Sequence, residues 1–199
     1  METLFSIQNT KSFYIMVKHW LITGLCVLTI FSCIPTRKLD DDTGRGTKVP
    51  YQGYKFANQN KFDSSIYQVI DPDYFYELVG IYWVDRNFKE IRDGGPTMIQ
   101  VLQFYPNGKV RRFGKPDMSP DPEKKGLRGI IYKKGNIIKT DFFEGISDGG
   151  MKIRTYQVKV EENRLYLLNY VFLNPEIWCL VYEKKEKVPE EWKQYKPDW

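Results

Sequence analysis

From Leu78 to Glu183, short runs of apolar and aromatic residues recur about every ten residues, separated by glycine, proline or asparagine. This recurrence constrains the fold more than any other feature, because runs of roughly four to eight residues between turn signals are typical of strands. The 14 Tyr and 12 Phe residues point the same way, since flat aromatic side chains pack well on a pleated sheet. The sequence therefore predicts an all-β domain.

Eight strands are predicted: Leu78 to Asp85, Thr97 to Tyr105, Lys109 to Gly114, Leu127 to Lys133, Asn136 to Glu144, Met151 to Val160, Arg164 to Val171 and Glu176 to Glu183. Turns such as Pro106-Asn107-Gly108 separate neighbouring runs by only two or three residues, so those strands pair as antiparallel hairpins. A meander of eight strands removes its exposed edges by closing on itself. We therefore predict an eight-stranded antiparallel up-and-down barrel over residues 61–187.

Two segments within this pattern resemble lipocalin-like proteins of the calycin type. They are Leu78-Val79-Gly80-Ile81-Tyr82-Trp83 and Phe104-Tyr105-Pro106-Asn107-Gly108-Lys109-Val110. The resemblance implies the same eight-stranded barrel, and it implies a late basic residue that packs over Trp83, for which Arg164 and Lys184 are the candidates. It does not name a ligand, because this fold hosts many unrelated roles.

The N-terminal region predicts export. Thirteen uncharged residues, Trp20 to Ser32, follow the basic Lys18 and His19. Their number fits the apolar core of a signal peptide, roughly 7 to 15 residues, and falls short of the roughly 20 that a membrane-spanning helix needs. Residues 1–32 are therefore predicted to be a signal peptide, and a start at Met1 or at Met16 gives the same mature chain.

The end of the apolar run, Ile30-Phe31-Ser32-Cys33, resembles the lipobox of bacterial lipoproteins. The resemblance implies cleavage before Cys33, acylation of its thiol, palmitate among the attached chains, and a cell-envelope protein held by lipid, most simply at the outer membrane. Lys38-Leu39-Asp40-Asp41-Asp42 is similar to the export signal of surface lipoproteins from Bacteroidota, and a solvated acidic spacer is the alternative reading. The periplasmic and surface faces of the membrane both stay open.

Residues 33–60 are predicted to be the lipidated cysteine and a flexible tether, because glycine, proline and acidic residues dominate and apolar residues are sparse. Residues 62–76 are expected to form a short helix or irregular turns. Residues 188–199 form an aromatic tail, and its Trp192 and Trp199 are expected to close one end of the barrel or to contact a partner.

Several classes of chemistry are excluded by composition. The single histidine, His19, lies in the signal peptide, so the mature chain has no histidine for acid-base catalysis, a catalytic triad or a metal site. Only Cys179 remains as a free thiol, which predicts a buried cysteine and no disulfide. The formal charge is +5; residues 1–32 carry two lysines and one glutamate, so the mature chain keeps +4, with both signs interleaved. We expect no nucleic-acid partner, no cofactor and no metal.

A binding role requires a concave apolar surface with a few polar groups, which a barrel supplies at its mouth or interior. The candidate lining residues are aromatic or basic and lie on predicted strands: Trp83, Arg112, Tyr132, Arg154, Tyr156, Tyr166 and Trp178. The first hypothesis is a non-enzymatic envelope lipoprotein that binds a small apolar or amphipathic ligand. The second is a structural lipoprotein that docks onto another envelope protein. The third is a carboxylate-dependent hydrolase, although Asp141 and Glu144, three apart on one strand, should point to opposite faces.

Overall fold

The computed structural model describes residues 18, 34–39, 47–95, 98–115, 119–146, 149–169 and 177–199. Two compact units divide the chain, Met1–Pro35 and Thr36–Trp199, and the second holds every described strand. Cys33 and the predicted cleavage site lie outside the described residues. Within the described ranges, no helix has the length and apolar character that a membrane crossing requires.

The second unit contains eleven described strands: β1 (Thr36–Lys38), β2 (Lys48–Pro50), β3 (Tyr74–Val84), β4 (Glu90–Asp93), β5 (Gln100–Phe104), β6 (Lys109–Gly114), β7 (Leu127–Lys134), β8 (Ile137–Gly145), β9 (Met151–Glu161), β10 (Arg164–Asn169) and β11 (Ile177–Lys187). Strands β3 and β5 to β11 pair in sequence order, all antiparallel, and β11 pairs back onto β3. The prediction of a closed, eight-stranded, up-and-down barrel is therefore confirmed.

The largest differences from the predicted barrel strands are at β3 and β11, and the additional strand β4 was not predicted; most other boundaries differ by one to three residues. β3 begins at Tyr74 and β11 runs to Lys187, because the two strands pair along their whole length, with Lys187 opposite Tyr74. The extra strand β4 pairs with the end of β3. Its four residues, Glu90 to Asp93, are all exposed, so β4 carries no apolar run by which the sequence could have revealed it.

Alternation along the strands separates an apolar interior from an outer wall. Interior residues from every barrel strand form one cluster, which includes Tyr76, Leu102, Phe142, Leu165 and Tyr182. We call the two ends of the barrel the closed end, at the β5–β6 turn 105–108, and the mouth, where β8 ends at Gly145 and β9 begins at Met151.

The segment before β3 plugs the closed end. A 3-10 turn, Ser64–Gln68, begins where the Asp63 side chain accepts a hydrogen bond from the Ser65 amide at 2.9 Å. Ile66 and Ile70 are fully buried against the interior cluster, and the Tyr67 hydroxyl donates to the Tyr105 carbonyl oxygen in the β5–β6 turn. These side chains cover the interior at this end of the barrel.

The predicted flexible tether is wrong for much of its length. β1 and β2 form a two-stranded sheet, and Leu39, Val49 and Phe56 are each at most 3% exposed. Arg37 forms an ion pair with Glu123 at 2.7 Å, and the Tyr54 ring lies 6.4 Å from the ring of Phe143 on β8. The sparse apolar residues of this segment are buried because the segment packs on the outer wall.

The aromatic tail also packs on the outer wall and closes neither end of the barrel. Trp192 contacts Phe75 and Phe113, whose neighbours in sequence face the interior. Trp199 is 6% exposed and donates a hydrogen bond from its indole nitrogen to the Gly129 carbonyl oxygen at 2.8 Å. Both tryptophan rings therefore pack against the outer wall of the chain's own barrel.

Candidate ligand-binding mouth

A cavity of about 310 Å³ opens at the mouth of the barrel. Its lining combines aliphatic, aromatic and charged side chains from six barrel strands and the residues beside them: Leu78, Ile81, Met98, Gln100, Arg112, Glu144, Gly145, Arg154, Tyr156, Trp178 and Leu180. The volume lies at the lower end of the roughly 300–1,000 Å³ that small-molecule sites occupy. The cavity is therefore large enough for a small ligand or for part of a longer one.

The polar part of the cavity is centred on Glu144, the inward-facing residue near the end of β8. Its carboxylate contacts the guanidinium groups of Arg112 on β6 and Arg154 on β9. The Tyr156 hydroxyl donates to the Glu144 Oε1 atom at 2.9 Å. Arg154 and Tyr156 share a face because they lie two residues apart on one strand.

Arg112 is the deeper of the two arginines. The side chains of Arg112 and Glu144 are each 9% exposed, whereas that of Arg154 is 29% exposed. The Arg112 guanidinium lies 4.8 Å from the centroid of the Phe142 ring, and its buried Nε atom has no hydrogen-bond partner. Arg112 therefore has a buried N–H group that no described residue accepts.

Buried tyrosines beside this pair stay protonated. Burial raises the pKa of Tyr182 to about 12, although Arg112 opposes the change, and burial likewise raises the pKa of Tyr156. For Arg112, burial alone would lower the pKa, but Tyr182, Tyr156 and Glu144 together raise it above its ordinary value. With two arginines and one carboxylate, the described charged groups that line the cavity sum to +1.

Four of the seven predicted ligand residues line this cavity: Arg112, Arg154, Tyr156 and Trp178. Trp83 does not line it but supports its wall, since its ring packs edge-to-face on that of Trp178 with centroids 4.9 Å apart. The basic residue over Trp83 is Arg92, at 4.7 Å from the ring centroid. Arg164 and Lys184 were the wrong candidates for that contact, because Arg164 pairs with Glu183 and Lys184 lies over Tyr74.

Tyr132 and Tyr166 face the outer wall and do not line this cavity. Tyr132 follows the interior residue Ile131 and donates a hydrogen bond to Asp141 at 3.1 Å, beneath the docked N-terminal segment. Tyr166 lies between the interior residues Leu165 and Leu167 and packs against the outer cluster that contains Cys179. Strand alternation puts both side chains on the face opposite to the cavity.

Sequence reasoning missed the central role of Glu144. The available signal was strand alternation, by which Glu144 shares a face with Phe142 and not with Phe143. Because both phenylalanines are apolar, only the strand register decides which of these faces is the interior. Gln100 was also missed; it accepts a hydrogen bond from the Tyr182 hydroxyl at 3.3 Å. Both residues extend the polar patch that Arg112 and Arg154 begin.

The two carboxylates considered for hydrolysis are on opposite faces, as predicted. Asp141 faces the outer wall, where it accepts hydrogen bonds from Asn58, Tyr132 and Thr155. Glu144 is the only carboxylate among the described residues that line the cavity. In the part of the chain that the structure describes, no group of three potential metal ligands occurs.

The domain is therefore a closed antiparallel up-and-down β-barrel with a cavity at its mouth that is lined by apolar and charged side chains. Comparison of the chain with family models, with curated proteins and with solved structures gives no match.

Proposed function

We propose that this protein is a non-enzymatic binding protein whose barrel mouth takes a small amphipathic ligand with an anionic head. The observation that carries the proposal is the composition of the 310 Å³ cavity, in which an apolar wall meets a buried cluster of net positive charge. Leu78, Trp178 and Leu180 supply apolar contact area for the ligand's hydrocarbon part.

The charge of the cavity favours an anion. Glu144 neutralises one of its two arginines, and the remaining positive charge lies in a partly desolvated site, where a charge-assisted hydrogen bond is stronger than in water. Arg154 is the more exposed arginine and is the one that an entering anion reaches first. Arg112 lies deeper in the wall and is paired with Glu144.

The test uses two fluorescent probes that differ by one sulfonate group, anilinonaphthalene sulfonate and N-phenyl-1-naphthylamine. We expect Arg154→Gln to weaken binding of the sulfonate probe about tenfold, which corresponds to about 1.4 kcal/mol, and to leave the neutral probe unchanged. Arg164→Gln is the matched control, because Arg164 is exposed beside the turn that joins β9 and β10 at the closed end. Equal loss of both probes, or no loss of either, would contradict an anion site at the mouth.

We also propose that the mature protein begins at Cys33 and is held to the cell envelope by lipid on that cysteine. Support comes from the apolar run that ends in Ile30-Phe31-Ser32-Cys33. Two or three acyl chains give stable anchoring, since each buried methylene contributes about 0.8 kcal/mol. Labelled palmitate fed to a bacterial host should enter the wild-type protein but not Cys33→Ser. The control Cys26→Ser, seven residues earlier in the same run, should be labelled normally, and label in Cys33→Ser would refute the assignment.

A structural lipoprotein that docks onto another envelope protein remains the second candidate. Its strongest motivation in the sequence was the aromatic tail, and Trp192 and Trp199 pack on the barrel's own outer wall. These two side chains are therefore already packed within this chain, and the ligand-binding proposal has the better support.

A further inference from the structure

Three large apolar side chains are exposed on segments at the mouth end of the barrel. Met98 is 78% exposed and Ile99 is 52% exposed, just before β5, and Ile91 on β4 is 49% exposed. Met98 also lines the cavity, so the apolar rim is continuous with the proposed binding site. A contiguous exposed apolar patch on a folded domain is typical of a surface that meets a partner, a ligand or a membrane.

The docked N-terminal segment restricts how far this domain can stand from a lipid on Cys33. A free tether of residues 33–60 would reach about 90 Å when extended, at roughly 3.3 Å per residue. The folded unit instead begins at Thr36, so only Ile34 and Pro35 separate it from Cys33. That connection spans at most about 11 Å.

The folded unit also begins on the mouth side of the barrel. Arg37 pairs with Glu123, and Glu123 pairs with Arg128, next to the mouth-end start of β7 at Leu127. From β2 the chain then runs along the outer wall toward the closed end, where Lys133 contacts Ser65 and Asp63. A short anchor beside the mouth brings the mouth, and not the closed end, toward the surface that holds the lipid.

We propose that the apolar rim of Ile91, Met98 and Ile99 rests on the lipid bilayer, so that the mouth cavity opens onto the membrane surface. This inference rests on the proposed lipid at Cys33. A ligand with an anionic head and an apolar tail then passes between bilayer and barrel without crossing water. The rim side chains lose their exposure to water on contact, which stabilises this orientation in proportion to the apolar area buried.

The test places an environment-sensitive fluorophore, nitrobenzoxadiazole, at the rim in Met98→Cys and at the closed end in Asn136→Cys. Asn136 is exposed in the turn between β7 and β8, and the substitution at Met98 leaves the core intact because Met98 is 78% exposed. Native Cys179 does not compete for the label, since it is 1% exposed and burial raises the pKa of its thiol to about 12. The lipid-bearing protein is reconstituted on vesicles of phosphatidylethanolamine with a minority of phosphatidylglycerol.

We expect the emission of the label at position 98 to rise and to shift to shorter wavelengths on vesicles, and the label at position 136 to stay as it is in detergent-free buffer. No change at position 98 in protein that floats with the vesicles would overturn the orientation while leaving the anchor in place. A larger change at position 136 would overturn it as well. Protein that does not float would overturn the anchor and this inference together, whereas probe binding at the mouth is read separately in solution.

Discussion

Glu144→Gln should destabilise the fold and strengthen anion binding at the same time. The substitution preserves shape but removes the negative charge between Arg112 and Arg154. Arg112 then remains about nine-tenths buried without its charge partner. Breaking a buried ion pair by removing one partner costs about 3–5 kcal/mol, and the amide oxygen that still accepts a hydrogen bond places the expected loss near 3 kcal/mol.

The same change removes a carboxylate that repels an incoming anion. For unit charges about 4–5 Å apart, the repulsion is roughly 1–4 kcal/mol at effective dielectric constants of 80 down to 20. Anilinonaphthalene sulfonate should therefore bind about tenfold to hundredfold more tightly to Glu144→Gln. The neutral N-phenyl-1-naphthylamine should bind with unchanged affinity.

Urea unfolding followed by tryptophan fluorescence measures the first effect, and probe titration measures the second. Glu161→Gln is the matched control, because Glu161 pairs with Lys159 on the exposed end of β9. It should change neither stability nor probe binding. A Glu144→Gln protein as stable as the control, or one that binds the sulfonate probe no more tightly than the wild type, would refute this description of the mouth.

Three further predictions concern other parts of the barrel. Burial lowers the pKa of Lys109 from 10.5 to about 8, so folding releases a proton between these values. The free energy of unfolding should therefore rise between about pH 8 and pH 10.5 in the wild type but not in Lys109→Met, and the same pH dependence in both proteins would contradict this. Gly108→Ala should lower the free energy of unfolding, measured with urea, more than Gly135→Ala does. Both glycines have positive φ, 77° and 62°, but of the two only Gly108 would place a Cβ against the Phe62 ring. Equal losses of stability would be inconsistent with the packing of Phe62 at the closed end. Cys179 should react with a thiol reagent at pH 8 only after unfolding, and prompt labelling of the native protein would disprove its burial.

The barrel was predictable because its signals are local. Turns such as Asn107-Gly108 fix hairpins between strands that are neighbours in sequence, and consecutive hairpins leave closure as the simplest way to remove the edges. β4 was not predictable, because its exposed residues carry no apolar pattern and its position depends on pairing with Trp83 and Val84.

The site was only partly predictable, because the type of a residue does not determine whether its side chain points into the barrel or to the outer wall. Tyr132 and Tyr156 are both buried strand tyrosines, yet one faces the outer wall and the other the cavity. The difference depends on which neighbours, such as Ile131, face inward, and that is fixed by pairing around the whole barrel.

The sequence also did not predict that the segments before and after the barrel pack on its outer wall. The spacing of Leu39, Val49 and Phe56 along the sequence follows neither the strand period nor the helix period, although all three side chains are buried. Trp199 is recognised by a single carbonyl oxygen of Gly129 and by the Arg128 guanidinium 5.0 Å from its ring. Such contacts depend on the shape of the completed barrel.

Native mass spectrometry of the protein released from its own membrane would show whether the charged mouth holds an anionic ligand in the cell. We expect a mature chain that starts at an acylated Cys33 and carries one small anionic amphipath per wild-type barrel, with that ligand depleted in Arg154→Gln. An empty wild-type barrel, or the same bound ligand at equal occupancy in both proteins, would contradict the claim that the charged mouth is the binding site.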